Sequence, residues 1–204
     1  MMEYKILAAP VIFEEEIKKS KFITYLAKVE NLEQAREFVN NLRREHPKAV
    51  HVCWATVAGL PHDQLQYFSS DDGEPSGTAG RPMLNSLINS QIGFIVAATV
   101  RYFGGILLGT GGLCKAYGNG VQQALKLAQT QIELERELYF VTCSYEQLNL
   151  VQSLLNQFNA KIEYQEFMEE VTTEFALPTE NVQAMQELLL DRSAGTLFMF
   201  KIEA

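Results

Sequence analysis

The sequence predicts an α+β protein of two domains, and three observations predict it. The 204-residue chain has a net charge of −8, unevenly spread. From residue 133 onward thirteen acidic residues meet four basic ones (Arg136, Lys161, Arg192, Lys201), a net of −9, which leaves residues 1–132 at +1. Glycine is uneven too: eleven of the thirteen lie between Gly73 and Gly120. Finally, the hydrophobic rhythm after residue 133 reads βαββαβ within about 70 residues, the ferredoxin-like split motif. The expected domains are therefore 1–132 and 133–204.

Composition narrows the class. At 47% hydrophobic and 21% charged the chain is ordinary globular material, neither disordered nor low-complexity. No apolar run approaches the ~18 residues of a membrane span. Met1-Met2-Glu3-Tyr4-Lys5 lacks the basic start and apolar stretch of a signal peptide. Three dispersed cysteines (Cys53, Cys114, Cys143) without a C-x-x-C suit a reducing cytoplasm better than a disulfide framework or zinc ribbon. The expected location is cytoplasmic.

Residues 4–13 and 21–29 read as strands joined through the polar Lys18-Lys19-Ser20-Lys21. Asn31 opens a helix, with Gln34 placed as its capping partner and Leu32, Ala35, Phe38, Val39 and Leu42 on one face. His46-Pro47 ends it. Residues 51–60 form a strand, 61–82 a long loop and 83–89 a short helix. The nearly continuous apolar run 93–103 is a central strand. A glycine loop, 104–112, then leads into a helix over 113–130. The second domain reads strand 134–143, helix 144–157, strands 160–168 and 171–177, helix 179–191 and strand 196–202. Ser144 with Gln147 forms a second capping pair.

Two motifs carry chemistry. The first is Asp71-Asp72-Gly73-Glu74-Pro75-Ser76-Gly77-Thr78-Ala79-Gly80-Arg81-Pro82. Asp71, Asp72 and Glu74 put three carboxylates within four positions, enough to hold Mg²⁺ through a few oxygens or to meet a partner; Ser76 and Thr78 add hydroxyls. The same residues also build a rigid turn, with Asp and Ser capping amides and Pro fixing φ. The spacing is not that of an EF-hand. The second motif runs from Arg101 through Gly104-Gly105 and Gly109-Thr110-Gly111-Gly112 to Lys115. A buried strand enters a glycine loop and then a helix whose first amides lack partners, an anion site with Arg101 and Lys115 as nearby cations. It is neither a Walker A loop nor a dinucleotide fingerprint, because the spacing is wrong for one and Cys114 replaces the third glycine of the other. Close packing of helix on sheet would demand the same glycines. Pro75 to Ile132 contains no acidic residue but holds Arg81, Arg101, Lys115 and Lys126, a weak basic patch. No nucleophile–base pair stands out; Cys114 with His51 is the one conceivable dyad.

These motifs, with Lys19-Ser20-Lys21-Phe22 and His51-Val52-Cys53-Trp54-Ala55, resemble the YigZ/Impact family across nearly all of residues 17–125. The resemblance implies an N-terminal two-layer α/β domain of the superfamily containing a ribosomal small-subunit protein, domain IV of elongation factor G and galactokinase-type kinases, followed by a ferredoxin-like domain. Its eukaryotic relatives are regulators that modulate translation under amino-acid starvation, and no enzymatic activity is implied. The expected function is therefore a non-catalytic protein of translation or stress regulation that binds a ribosome, a translation factor or RNA. Arg81, Arg101, Gly104, Gly105, Gly109, Thr110, Gly111, Gly112 and Lys115 would meet phosphate or a partner, and the acidic C-terminal domain would contact protein. The alternative is an enzyme acting on a phosphorylated or nucleotide-like small molecule. No cofactor, metal or catalytic residue is assigned.

Overall fold

The computed structural model describes residues 3–202. They form two compact units of α+β architecture, one of Tyr4–Glu133 and one beginning at Leu134 that also includes Glu3. In the first, β2 (Val11–Ile17), β3 (Ser20–Lys28), β4 (His51–Val57), β5 (Tyr67–Ser70) and β6 (Ile95–Tyr102) make an antiparallel sheet in the order β2-β3-β6-β4-β5. β1 (Glu3–Leu7) pairs separately with β7 (Thr130–Leu134), a strand the sequence pattern did not predict.

Alternation along each strand decides which face a residue serves. Ile23, Ala27, Val52, Val96, Ala98 and Val100 turn to one side, where α1 (Leu32–Glu45) covers them with Ala35, Val39 and Leu42. Phe22, Leu26, Cys53, Ala55, Ile95 and Ala97 turn to the other, under α2 (Gly80–Ser90) and α3 (Thr110–Leu127). The expected two-layer domain is thus corrected to three layers. The apolar stripe of α1 needs a surface to bury against, and the even-numbered residues of β6 supply it. Being covered on both faces is also why β6 reads as a continuous apolar run.

The predicted cap of α1 closes: Asn31 Oδ1 accepts the Gln34 N–H at 2.9 Å, and Gln34 Oε1 accepts the Glu30 N–H at 2.9 Å. Residues 61–82 are not one loop. They contain a 3₁₀ turn at Gln64–Gln66, the edge strand β5 and the start of α2. Gly80 allows α2 to begin against β5, since a Cβ there would lie 2.8 Å from the Ser70 nitrogen. Helix α3 begins three residues before the expected Leu113, its first turn disguised by glycines.

In the second unit β8 (Arg136–Cys143), α4 (Leu148–Gln157), β9 (Lys161–Phe167), β10 (Val171–Pro178), α5 (Val182–Arg192) and β11 (Met199–Lys201) follow the order βαββαβ, with sheet order β11-β8-β10-β9. Val141, Cys143, Phe175 and Leu177 pack with Val151, Leu154, Leu155, Met185 and Leu189. The Ser144 N–H reaches Gln147 Oε1 at 3.2 Å, although the helix proper starts at Leu148. Among the described residues no helix is long and apolar enough to cross a membrane.

Candidate functional site

The carboxylate loop is held by its own backbone. Asp71 accepts three N–H groups, from Gly77 (2.8 Å), Ala79 (3.0 Å) and Gly80 (2.8 Å). It thereby caps α2, whose N-cap residue Ala79 has no side chain able to do so. Burial alone would raise the Asp71 pKa, but these three donors together hold the carboxyl below its ordinary value. Asp72 accepts the Val52 N–H at 2.7 Å and pairs with Arg43 at 2.5 Å. The Thr78 hydroxyl donates to the Pro75 carbonyl at 2.6 Å.

Glu74, 8% exposed, turns inward. Its Oε1 accepts from Arg101 Nη1 at 2.5 Å and from the Tyr117 hydroxyl at 2.7 Å, while Oε2 lies 3.9 Å from His51 Nε2. The strand register explains the meeting: His51, Arg101 and Phe22 are cross-strand neighbours on β4, β6 and β3. Tyr117 of α3 packs edge-on against Phe22, and the Arg101 guanidinium sits 5.4 Å from the Phe22 ring and 5.6 Å from the Phe103 ring. Arg101 is 5% exposed, and its Nε is buried without a partner. His51 donates from Nδ1 to the Asp72 carbonyl at 2.7 Å, which fixes the tautomer of the neutral ring and leaves Nε2 as an acceptor.

Of these groups, His51, Glu74, Arg101 and Phe103 line a cleft of about 440 Å³. Its walls include Val50, Pro75, Phe103, Leu107 and Leu108, and its far side is the start of α3 at Gly109, Thr110 and Leu113. The carboxylate loop and the glycine loop therefore line one hollow. No side chain caps α3. Its first backbone bond is Leu113 N–H to the Gly109 carbonyl, so the amides of Thr110, Gly111 and Gly112 precede the helical ladder.

The remaining motif residues fall elsewhere. Arg81 is exposed on α2 and Lys115 on α3, both outside the cleft lining, as is the exposed Ser76. The hollow lies beside Arg101, not Arg81. Gly104 belongs to packing: a Cβ there would stand 2.0 Å from the Lys19 carbonyl carbon in the β2–β3 turn. Gly105 and Gly109 have φ of +84° and +75°. Asp71, Asp72 and Glu74 each accept hydrogen bonds from protein donors. Among the described residues no group of three or more His, Cys, Asp or Glu could hold a metal. Cys114 is half-buried and does not line the cleft with His51. Cys53, whose thiol donates to the Asp71 carbonyl, has its pKa pushed up to about 12 by burial and is no nucleophile at neutral pH.

Sequence reasoning missed Tyr117 as a partner of Glu74. Its signal was present: on the buried face of α3 it is the one residue with a polar tip among Leu113, Ala116, Val121 and Ala124, and a buried phenol needs an acceptor.

Comparison with known proteins sets this geometry in a family. The Impact N-terminal domain model matches residues 18–125, and a domain of unknown function, DUF1949, matches residues 141–196. An IMPACT family member of Haemophilus influenzae is 51% identical, covering 100% of this chain and 98% of that protein. The IMPACT family member YigZ of Escherichia coli is 49% identical, covering 100% of both chains. A crystal structure of a hypothetical protein superposes with a TM-score of 0.82 at 49% identity, covering 100% of this chain and 98% of that one. With the matched domain spanning four of the sheet's five strands, both motifs and the cleft they line, the chain belongs to the IMPACT family.

Proposed function

We propose that this chain is a non-catalytic cytoplasmic regulator that binds the translation machinery through its RNA. The N-terminal unit holds a phosphate, and the C-terminal unit, with its excess of acid, contacts basic protein. One observation carries the reading: the uncapped start of α3 opens onto a cleft whose floor is Arg101. Unpaired amides and the positive end of the helix dipole attract an anion. The domain likenesses to ribosomal and elongation-factor folds, drawn from the family resemblance, fit the same reading.

Gel-shift titration with structured RNA at rising salt, together with cosedimentation with ribosomes, tests it. The expected result is binding that weakens as salt rises, since phosphate contacts release counterions. Salt-independent or absent binding with no cosedimentation would overturn it.

A second reading, an enzyme acting on a phosphorylated or nucleotide-like small molecule, draws support from His51. With Nδ1 fixed on the Asp72 carbonyl, Nε2 is free to take a proton at the cleft floor. Turnover of a phosphorylated compound that disappears in His51→Gln would favour this reading over the first.

A further inference from the structure

The sheet of the second unit has a face that its own helices leave open. Helices α4 and α5 pack on one side, against Val141, Cys143, Phe175 and Leu177. Alternation turns their neighbours along each strand to the other side. The register sets four of these in one row across the whole sheet: Phe200 of β11 opposite Phe140 of β8, Phe140 opposite Glu174 of β10, and Glu174 opposite Tyr164 of β9. Phe200 is 56% exposed and Tyr164 54%. The Phe140 and Phe200 rings stack with their centroids 5.4 Å apart. Leu138, opposite Ala176 in the next row, is exposed as well.

The row holds a carboxylate between two aromatic rings. Cross-strand neighbours stand about 5 Å apart at Cβ, so Glu174 lies beside both Phe140 and Tyr164. Among the described residues no hydrogen bond or ion pair engages the Glu174 carboxylate. Charge selects the occupant. Beyond residue 132 thirteen acids against four bases repel a nucleic-acid backbone, and Glu166, opposite Thr172 on the same face, adds to that repulsion. A second copy of this face would set carboxylate against carboxylate. An uncharged apolar segment would bury Glu174 without a counter-charge, a costly state. A cationic segment incurs none of these costs. Arginine suits the row better than lysine: its guanidinium stacks flat on aromatic rings, sheds water more readily than an ammonium, and pairs a carboxylate through two parallel bonds.

We propose that the open sheet face of the C-terminal unit docks an arginine-bearing basic segment of a protein, with a guanidinium on Glu174 between Phe140 and Tyr164. This rests on the reading given above that the acidic unit contacts basic protein, and it names the face and the side chains that do so.

Fluorescence anisotropy of the full chain with labelled peptides of alternating Arg-Gly, Lys-Gly or Glu-Gly, all of one length, and with a labelled oligouridine tests it. The Arg-Gly peptide is expected to bind roughly fivefold or more tighter than the Lys-Gly peptide, the scale of one cation–π contact, and the Glu-Gly peptide not at all. Glu174→Gln and Tyr164→Ala, both outside the core, are expected to keep the melting temperature and to weaken the Arg-Gly peptide by roughly fivefold or more. Glu187→Gln removes the same charge from α5, on the covered side of the sheet, and is expected to change binding by less than about twofold, because solvent and salt screen a distant charge. Equal affinity for the Arg-Gly and Lys-Gly peptides, a Glu174→Gln protein that binds as wild type, or an equal loss in Glu187→Gln overturns the proposal and leaves a general attraction for basic protein standing. Oligouridine binding that Tyr164→Ala abolishes overturns it in favour of a nucleic acid on this face. Absence of binding to both basic peptides overturns the proposal and the basic-protein reading together.

Discussion

Within Tyr4–Glu133 the interior holds an ion pair, Glu74 with Arg101, together with the buried hydroxyls of Ser20, Thr24, Thr56, Thr78, Ser86 and Thr99. Beyond Leu134 the described buried residues are apolar apart from Thr173 and Ser193, and no charged residue is among them. The contrast is instructive because both units have a sheet, covering helices and a contiguous core. A core of Val141, Leu154, Phe175 and Met185 needs only burial to be stable. An ion pair in the same place must offset its own desolvation, and replacing such pairs with apolar residues is often neutral or stabilising. Its presence in one unit is what makes the cleft beside it the candidate site.

The comparison can be broken experimentally. Glu74→Ala strands Arg101 without its counter-charge and is expected to cost about 3–5 kcal/mol, read from urea unfolding, with amide exchange locating the loss in the N-terminal unit. Phe175→Ala, with no charge involved, should cost a similar ~3–5 kcal/mol through an unfilled cavity. Two similar losses that both proved electrostatic, seen as a dependence on salt, would erase the distinction.

Gly104→Ala drives a methyl into the β2–β3 turn and is expected to cost about 1–3 kcal/mol by overpacking, measured as a drop in the denaturation midpoint.

Asp71→Ala, which frees three amides at the start of α2, should cost about 1–2 kcal/mol. Because the Asp71 pKa is lowered on folding, its contribution is complete above the ordinary value of 3.8 and fades as pH falls through that value toward the depressed one. Wild type should therefore lose stability over that acid window by more than Asp71→Ala does, as thermal melts across pH would register.

The smallest effect has the opposite sign. Gly111→Ala is expected to raise stability by about 0.5–1 kcal/mol while weakening anion binding, a pairing that melting and titration of one sample can check.

Much of the architecture was legible because it depends on local pattern. The α1 cap is written in Asn31 and Gln34, the centrality of β6 in an unbroken apolar run, and the C-terminal βαββαβ order in its alternating rhythms. What escaped was short or disguised. β5 is a four-residue edge strand among turn residues, and the first turn of α3 carries glycines that read as loop.

The sequence alone determined the two-part organisation, the family and the segments that hold the unusual chemistry, since composition, periodicity and motif spacing are properties of neighbours along the chain. Only the tertiary structure decided that Asp71 and Asp72 tie down backbone, that Glu74 turns inward to Arg101 and Tyr117, and that the two loops share a hollow with His51 on its floor. Those outcomes depend on the register among β3, β6 and β4 and on where α3 crosses them. Residues far apart in the chain set that geometry, so no local pattern could report it.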